Sequence, residues 1–165
     1  AAEMLRGIEP DGKNIVLELG VGTGAITRFL RGAIPNRESY LGIELDGDLV
    51  KTLNKNFPDM NIIQGNAMNA YSIHQELGLG KVRYLICCLP FVSLPKEVSE
   101  SVLTEIARFM DEGCELRLFQ YAHGYFLPPA IKLREYLKVR YGKSHRSPLV
   151  FKNVPPAFTL TWSTI

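Results

Sequence analysis

Residues 18–24 have the sequence Glu18-Leu19-Gly20-Val21-Gly22-Thr23-Gly24, in which glycine occupies every second position from Gly20 onward. They overlap the end of an apolar run, residues 14–20, whose shortness and terminal glycine are typical of a buried strand. Residues 25–31 carry apolar side chains at helical spacing. We therefore predict a strand, a tight turn and a helix. Glycines in the turn let the backbone approach a ligand closely, and free amides at a helix start favour a polar or anionic group.

Strands and helices are predicted to alternate along the rest of the chain. Further strands are predicted at residues 39–45, 61–64, 82–89 and 114–121. Helices are predicted after the N-cap Asp46 as far as Pro58, and at residues 71–79, 96–110 and 128–139. Residues 148–151 and 157–162 are predicted to form a terminal hairpin. This alternation predicts an α/β fold with a parallel sheet, in which ligands bind beyond the carboxyl ends of the strands.

Length and composition predict one domain over residues 1–165, and a net charge of +2 gives no argument for nucleic acid or membrane binding. The cysteines, Cys87, Cys88 and Cys114, are odd in number and lack zinc-site spacing, so we expect a reducing compartment and no metal. Residues 85–94, the longest apolar stretch, are too short to span a bilayer. Because the chain opens at Ala1 without Met, we expect an upstream segment to be missing.

Glu44 is predicted to end the second strand, 24 residues after Gly20. A carboxylate there can accept hydrogen bonds from both ribose hydroxyls of an adenosine cofactor. A nicotinamide cofactor is the main alternative, because Gly20, Gly22 and Ala25 also fit the dinucleotide fingerprint. A purely structural glycine turn is a second alternative.

Glu18 stands two residues before the first glycine, and the resulting ExGxGxG pattern resembles motif I of class I S-adenosylmethionine (SAM)-dependent methyltransferases. That resemblance implies their Rossmann-like α/β fold, a seven-stranded, mostly parallel sheet with a C-terminal antiparallel hairpin and helices on both faces. It also implies SAM as the cofactor, with the glycines at its methionyl part, Glu18 supporting the loop or the ammonium, Glu44 at the ribose, and Asn66 at the adenine in place of the usual Asp. The implied cofactor residues are Glu18, Gly20, Gly22, Thr23, Gly24, Glu44, Leu45, Asn66 and Ala67.

The loop after the fourth predicted strand, Leu89-Pro90-Phe91-Val92-Ser93-Leu94-Pro95, resembles that of bacterial phospholipid N-methyltransferases. Two further segments resemble the same family: Phe119-Gln120-Tyr121 and Asn153-Val154-Pro155-Pro156-Ala157. The resemblance implies N-methylation of the amino headgroup of phosphatidylethanolamine or its methylated forms. The implied catalytic residues are Leu89, Pro90, Phe91 and Tyr121.

Several side chains near this loop are candidates for handling the amine. The carbonyl of Pro90 is expected to accept the amine's hydrogen, and Phe91, Tyr121 and Tyr125 can offer ring faces to a methylated ammonium. His123 is either a general base or an exposed loop histidine. Cys87 and Cys88 are expected to be buried apolar side chains rather than nucleophiles.

Three other functions stay open. The loop also resembles the Asn-Leu-Pro-Tyr loop of ribosomal RNA adenine N6-dimethyltransferases, but Cys87 and Cys88 lack the side-chain amide that those enzymes place at its start. A small-molecule or protein methyltransferase on the same scaffold is the second possibility, since fold does not fix function. A non-catalytic NAD-binding or nucleotide-binding module is the third.

Basic residues are concentrated near the C-terminus, with seven Lys or Arg and one Glu between Ile131 and Lys152. We expect most of them to lie on a solvated helix face. The fold predicts that Lys143 and Arg146 lie far from the site and that Lys152 lies close to it. The expected location is cytoplasmic, peripheral association with the inner membrane face stays open, and no nucleic-acid partner is expected.

Overall fold

The computed structural model describes residues 2–149 and 156–164. Its strands are β1 Ile15–Leu19, β2 Tyr40–Glu44, β3 Ile62–Gln64, β4 Val82–Cys87, β5 Glu115–Tyr121, β6 His145–Arg146 and β7 Ala157–Ser163. Its α-helices are α1 Ala2–Leu5, α2 Thr27–Leu30, α3 Gly47–Asn56, α4 Ala70–Glu76, α5 Lys96–Asp111 and α6 Pro128–Tyr141. No helix of the described part is long and apolar enough to cross a membrane.

The strands form one seven-stranded sheet in the order β3-β2-β1-β4-β5-β7-β6. Strands β1 to β5 are parallel to one another, whereas β7 runs antiparallel to both β5 and β6. The predicted Rossmann-like, mostly parallel sheet with antiparallel pairing at its C-terminal end is therefore confirmed. The carboxyl ends of β1, β2, β4 and β5 lie side by side at one edge, where ligands of such sheets bind.

Both faces of the sheet are covered by helices, as predicted. On β1, Leu17 and Leu19 join the core that α5 and α6 complete, while Val16 points into the core beneath α3. Side chains alternate between the faces of a strand, so Glu18 lies on the same face as Val16. An acid is thereby placed inside an apolar layer, directly below the glycine turn.

Two of the differences from the predicted extents have a clear structural cause. Helix α2 is shorter than the predicted residues 25–31, because residues 22–26 are in turns and the glycines of this segment have positive φ. The first arm of the hairpin was predicted at residues 148–151, but β6 comprises His145 and Arg146. Pairing with β7 ends at Ser147, whose amide donates to Thr159 O at 2.9 Å; Pro148, which follows, has no N–H for the ladder. Residues 150 and 151 lie outside the described residues.

Candidate active site

A cleft of about 720 Å³ opens at the carboxyl ends of β1, β4 and β5. Its walls are the glycine turn after β1, the loop after β4 and the last residues of β5. Eight of the predicted site residues line it: Glu18, Gly20, Gly22, Thr23, Leu89, Pro90, Phe91 and Tyr121. Cofactor residues and acceptor residues, which were predicted from separate motifs, therefore face the same space.

The other predicted cofactor residues lie beside this cleft rather than in its walls. Glu44 and Leu45 follow β2, and Asn66 and Ala67 follow β3. Leu45 is exposed, and Glu44 is partly buried. Gly24 lies under the turn, where the space for a Cβ atom is taken by Phe57 at 2.7 Å.

The glycines of the turn differ in what surrounds them. A Cβ on Gly20 would lie 2.7 Å from Cδ2 of Leu89, so this glycine lets the turn after β1 and the loop after β4 touch. A Cβ on Gly22 would meet nothing within 4 Å, and its φ of +59° disfavours other residues. Since Gly22 lines the cleft, a side chain there would project toward the ligand space. The turn thus combines one packing contact with one open backbone surface.

Glu18 is fully buried and forms a small polar network beneath the turn. Its Oε2 accepts hydrogen bonds from the Tyr40 hydroxyl at 2.7 Å and from Thr27 Oγ1 at 3.0 Å. Its Oε1 has no partner among the described residues. Burial raises the pKa of Glu18 from 4.5 to about 7, against the two hydrogen bonds, which lower it. An unpaired carboxylate oxygen at the cleft wall is therefore available to a cationic donor.

Glu44 connects the second strand to the glycine turn. Its Oε2 accepts a hydrogen bond from the Gly22 amide at 2.8 Å, and its Oε1 accepts from the Asp46 amide at 3.0 Å. A carboxylate has about four acceptor positions, so each oxygen can accept one more donor. Glu44 thus fixes the turn while keeping acceptor capacity for vicinal hydroxyls.

Asn66 is exposed and caps the short 3₁₀ helix Ala67–Asn69. Its Oδ1 accepts a hydrogen bond from the Met68 amide at 2.9 Å. That oxygen is the atom expected to accept from an adenine amino group. It has a second lone pair, so its expected role stays a prediction.

The loop after β4 places an aromatic side chain at the cleft, together with a backbone carbonyl that has acceptor capacity left. Phe91 is buried and belongs to the core while also lining the cleft. Pro90 O accepts from the amides of Ser93 at 2.8 Å and Leu94 at 3.2 Å, so both of its lone pairs are used. Leu89 O accepts only from Phe91 N, at 3.0 Å. Within the described residues, Leu89 is therefore a better placed acceptor for an amine hydrogen than Pro90, which we expected to have that role.

Of the other candidate aromatic residues, only Tyr121 faces the cleft. It packs edge-on against Phe119, with ring centroids 5.0 Å apart, and stacks on His123 at 5.5 Å. Tyr125 does not line the cleft; its ring is covered by the guanidinium group of Arg134 at 3.8 Å. The expected contact of Tyr125 with a methylated ammonium is replaced by this arginine. His123 is exposed and also lies outside the cleft walls.

The cysteines are not activated. Burial raises the pKa of Cys87 and of Cys114 to about 12. Cys88 lines the cleft, and its pKa is raised first by burial and then by the negative charge of Glu18. A nucleophilic cysteine requires a thiolate, and these three are thiols at neutral pH, as their expected role as apolar side chains requires.

Tyr40 and Gln120 are among the polar residues of the site that escaped prediction. Tyr40 holds Glu18, and the signal for it is Gly42, whose missing Cβ leaves room for the Tyr40 hydroxyl. Gln120, 5% exposed, lines the cleft and makes no side-chain hydrogen bond within the described residues. The one sequence signal for Gln120 is its position in the segment Phe119-Gln120-Tyr121. The Asn153-to-Ala157 segment, predicted to adjoin the site, lies largely outside the described residues.

A methyltransferase domain family matches residues 16–113, more than half of the chain. The chain belongs to this family. The matched part begins on β1 and ends after α5, so it contains the glycine turn, Glu44 and the loop after β4. The cofactor of this methyltransferase domain is S-adenosyl-L-methionine.

Similar proteins fall into more than one substrate class. The ornithine lipid N-methyltransferase of Singulisphaera acidiphila is 24% identical over 109 residues, covering 64% of this chain and 57% of that protein. The small-subunit ribosomal RNA methyltransferase A of Cupriavidus metallidurans is 30% identical over 106 residues, covering 64% of this chain and 35% of that protein. This chain thus spans only part of both curated relatives.

The fold is shared with solved methyltransferase structures. Fibrillarin of Aeropyrum pernix, whose structure contains natively bound S-adenosyl-L-methionine, superposes with a TM-score of 0.65 at 18% identity, covering 98% of this chain and 72% of that one. Three features of the described residues fit the same cofactor: the unpaired Oε1 of Glu18, the open backbone at Gly22 and the acceptor capacity of Glu44.

Proposed function

We propose that this methyltransferase transfers methyl groups to the amino headgroup of phosphatidylethanolamine and its methylated forms. The observation that carries the proposal is a group of exposed apolar side chains beside the acceptor end of the cleft. Phe126 is 78% exposed, Leu127 46% and Ile131 41%. In the sequence they stand between Tyr121 and Leu133, and both of these residues line the cleft. An exposed apolar patch at a binding site suits a membrane or lipid partner.

The proposed site has a cofactor part and an acceptor part. We assign the ammonium of the cofactor to Glu18, its methionyl part to the turn formed by Gly20, Gly22, Thr23 and Gly24, and its ribose hydroxyls to Glu44. The adenine is assigned to Leu45, Asn66 and Ala67. When bound, SAM supplies a methyl group on a positively charged sulfur. These assignments extend the resemblance to this chain's own contacts.

The chain's own contribution to the reaction is to hold a neutral amine and keep water away from it. Phe91 and Tyr121 form an apolar wall, and burial against such a wall lowers the pKa of an amine. Leu89 O accepts a hydrogen bond from that amine. This hydrogen bond orients the lone pair of the amine nitrogen into the cleft. Positioning of this kind accounts for much of the rate in a reaction that needs no activated protein nucleophile.

The direct test is methyl transfer from isotope-labelled SAM to phosphatidylethanolamine in vesicles, with the lipid products resolved by mass spectrometry. We expect mono-, di- or trimethylated headgroups. Phosphatidylcholine vesicles are the control, because the quaternary nitrogen of this headgroup has no lone pair to accept a methyl group. Absence of any methylated lipid from vesicles, and from short-chain phosphatidylethanolamine, would refute the proposed acceptor.

Tyr121 offers a matched pair of variants for the acceptor wall. Tyr121→Ala removes the ring and should lower kcat/KM for the lipid at least about tenfold, because the proposed aromatic contact with the acceptor is lost. Tyr121→Phe keeps the ring and should retain most of the activity. If both variants lost activity equally, the hydroxyl rather than the ring would be required.

Adenine N6-methylation of ribosomal RNA is the second candidate function. It is favoured by the 30% identity to the ribosomal RNA methyltransferase. The position of Cys88 opposes it, because a thiol cannot replace a side-chain amide as a hydrogen-bond partner for adenine. A small-subunit ribosomal RNA transcript placed in the same labelled reaction separates the two candidates: methyl incorporation into RNA and not lipid would reverse our assignment.

We also propose that the enzyme acts at the cytoplasmic face of a membrane, without insertion. The exposed side chains of Phe126 and Leu127 suit shallow contact with lipid headgroups. Phe126→Ser should therefore reduce turnover of vesicle lipid more than turnover of a monomeric short-chain lipid. Equal effects on both would place Phe126 in the catalytic step rather than in surface contact.

A further inference from the structure

Two arginines lie against the ring of Tyr125, which follows the end of β5. The guanidinium carbon of Arg134, on α6, lies 3.8 Å from the Tyr125 ring centroid, and that of Arg146, on β6, lies 5.4 Å from it. Arg146 also lies 4.9 Å from the ring centroid of Phe158. Since both carbons are measured from one centroid, they are at most about 9 Å apart. Arg146, which was expected to lie far from the site, thus lies beside Tyr125, four residues after the end of β5.

No described residue neutralises this pair. Neither arginine forms an ion pair among residues 2–149 and 156–164. Residues 150–155 contain Lys152 and no carboxylate. Nη1 of Arg134 is buried without any hydrogen-bond partner within the described part of the chain. A buried, unpaired donor on a charged group is costly, and an anionic ligand would satisfy it.

The pair is also connected to the cleft. Leu133, the residue before Arg134, lines the cleft. Gly124, the residue before Tyr125, packs so closely on Val92 of the cleft wall that a Cβ there would lie 3.2 Å from Val92 Cγ2. An anion held by the arginines would therefore lie close to residues that line or contact the cleft wall.

We infer that Arg134 and Arg146 bind the anionic group of the acceptor lipid, and this inference rests on the proposed function. The shared chemistry is an oxyanion a few bonds from an amine, as in a phosphodiester headgroup or an amino-acid headgroup. Guanidinium groups stacked on an aromatic ring keep their N–H edges free to donate. An oxyanion bridged by hydrogen bonds of about 2.9 Å on both sides holds two guanidinium carbons on the order of 8 Å apart, which the pair allows.

This site gives the enzyme a way to select zwitterionic amines. A lipid anchored by its anion presents its amine at a fixed distance, toward Tyr121 and Leu89. An aliphatic amine without an anionic group lacks the anchor and forfeits that orientation. Selectivity of this kind comes from buried donors left unpaired by the wrong substrate.

Arg134→Met and Arg146→Met test the inference, with Arg140→Met as the matched control. Arg140 is on the same helix as Arg134 and also lies over tyrosine rings, but it is paired with Asp111 at 2.8 Å. Methionine keeps an unbranched side chain on the ring. For monomeric dihexanoylphosphatidylethanolamine we expect KM to rise at least about tenfold in the two test variants and less than about twofold in the control. For decylamine, KM should change little in all three.

A second measurement separates this inference from the proposed function. Broadening of the ³¹P resonance of glycerophosphoethanolamine reports anion binding without catalysis, and inorganic phosphate shows whether a free anion suffices. Loss of broadening in Arg134→Met, with Arg140→Met unchanged, supports the anion site even if the wild type methylates no lipid. Unchanged KM together with unchanged broadening in folded test variants, checked by thermal unfolding, would overturn the inference.

Discussion

Glu18 and Glu44 lie near the ends of adjacent strands, but their surroundings differ. Glu18 is buried, and its pKa is raised to about 7 because burial disfavours the charge. Glu44 is partly buried and accepts hydrogen bonds from the backbone amides of Gly22 and Asp46. We therefore propose different tasks: Glu18 gains its charge when a cationic ligand group arrives, whereas Glu44 orders the turn at Gly22.

The first prediction concerns Glu44. Glu44→Ala should weaken S-adenosylhomocysteine binding at least about tenfold, because two ribose hydrogen bonds to a charged acceptor and the anchor of the Gly22 amide are lost together. Asp48→Asn is the control, since Asp48 is exposed in the next helix and, among the residues that the structure describes, its side chain pairs only with Lys51. Calorimetric titration checks both; unchanged affinity in Glu44→Ala would rule out the ribose role.

The second prediction concerns Gly22. Gly22→Val should abolish cofactor binding, because its side chain would occupy open space at the cleft. Gly78→Val is a matched control: its φ is +60°, and it too has nothing within 4 Å. Both variants should lose about 1–3 kcal/mol of unfolding free energy through backbone strain, yet only Gly22→Val should lose binding. Retained binding in folded Gly22→Val would refute the proposed turn–cofactor contact.

The third prediction is a pH dependence. The folded protein keeps a proton on Glu18 up to about pH 7, whereas the unfolded chain loses it near 4.5. The stabilisation that this proton gives to the folded state is fully present below pH 4.5. It is lost as the pH rises to 7, by about 1.4 kcal/mol of unfolding free energy per pH unit. Glu18→Gln should lack this component, so the difference between the two unfolding free energies should change across pH 4.5–7 in urea titrations. Parallel curves would show that Glu18 titrates normally.

At the scale of elements, local pattern predicted the strands and helices that carry the site. The run before Gly20, the Asp46 cap and the apolar spacing within α5 each specify an element through their own residues. The first hairpin arm was misplaced because its position depends on pairing with β7. Tyr40 and the Arg134–Arg146 pair were missed for the same reason: their contacts join residues far apart in sequence.

The fourth prediction concerns contact between two loops. Gly20→Ala should lower kcat/KM for the lipid, because its Cβ would lie 2.7 Å from Leu89 Cδ2 and displace the loop after β4. Leu89→Ala should lower kcat/KM less in the Gly20→Ala variant than in the wild type. A double-mutant cycle should give a coupling of at least about 0.5 kcal/mol, and additive effects would show that the two loops act independently.

At the scale of the whole molecule, ligand groups are arranged along one edge of the sheet. We assign the adenosine to the ends of β2 and β3, the methionyl group to β1, the amine to β4 and β5, and the anion of the acceptor to the region between α6 and the β6–β7 pair. The cofactor and the acceptor thus approach from opposite directions and meet at the cleft. This arrangement follows from the strand order, in which β1 and β4 are central.

Hydrogen–deuterium exchange with and without S-adenosylhomocysteine tests this arrangement most directly, because it reports on all the strand ends in one experiment. We predict slower exchange at the amides of residues 20–24, 44–47 and 65–68, with NAD producing no such protection. Protection confined to the β6–β7 edge, or protection by NAD at the glycine turn, would contradict the assignment of the cofactor to the ends of β1, β2 and β3.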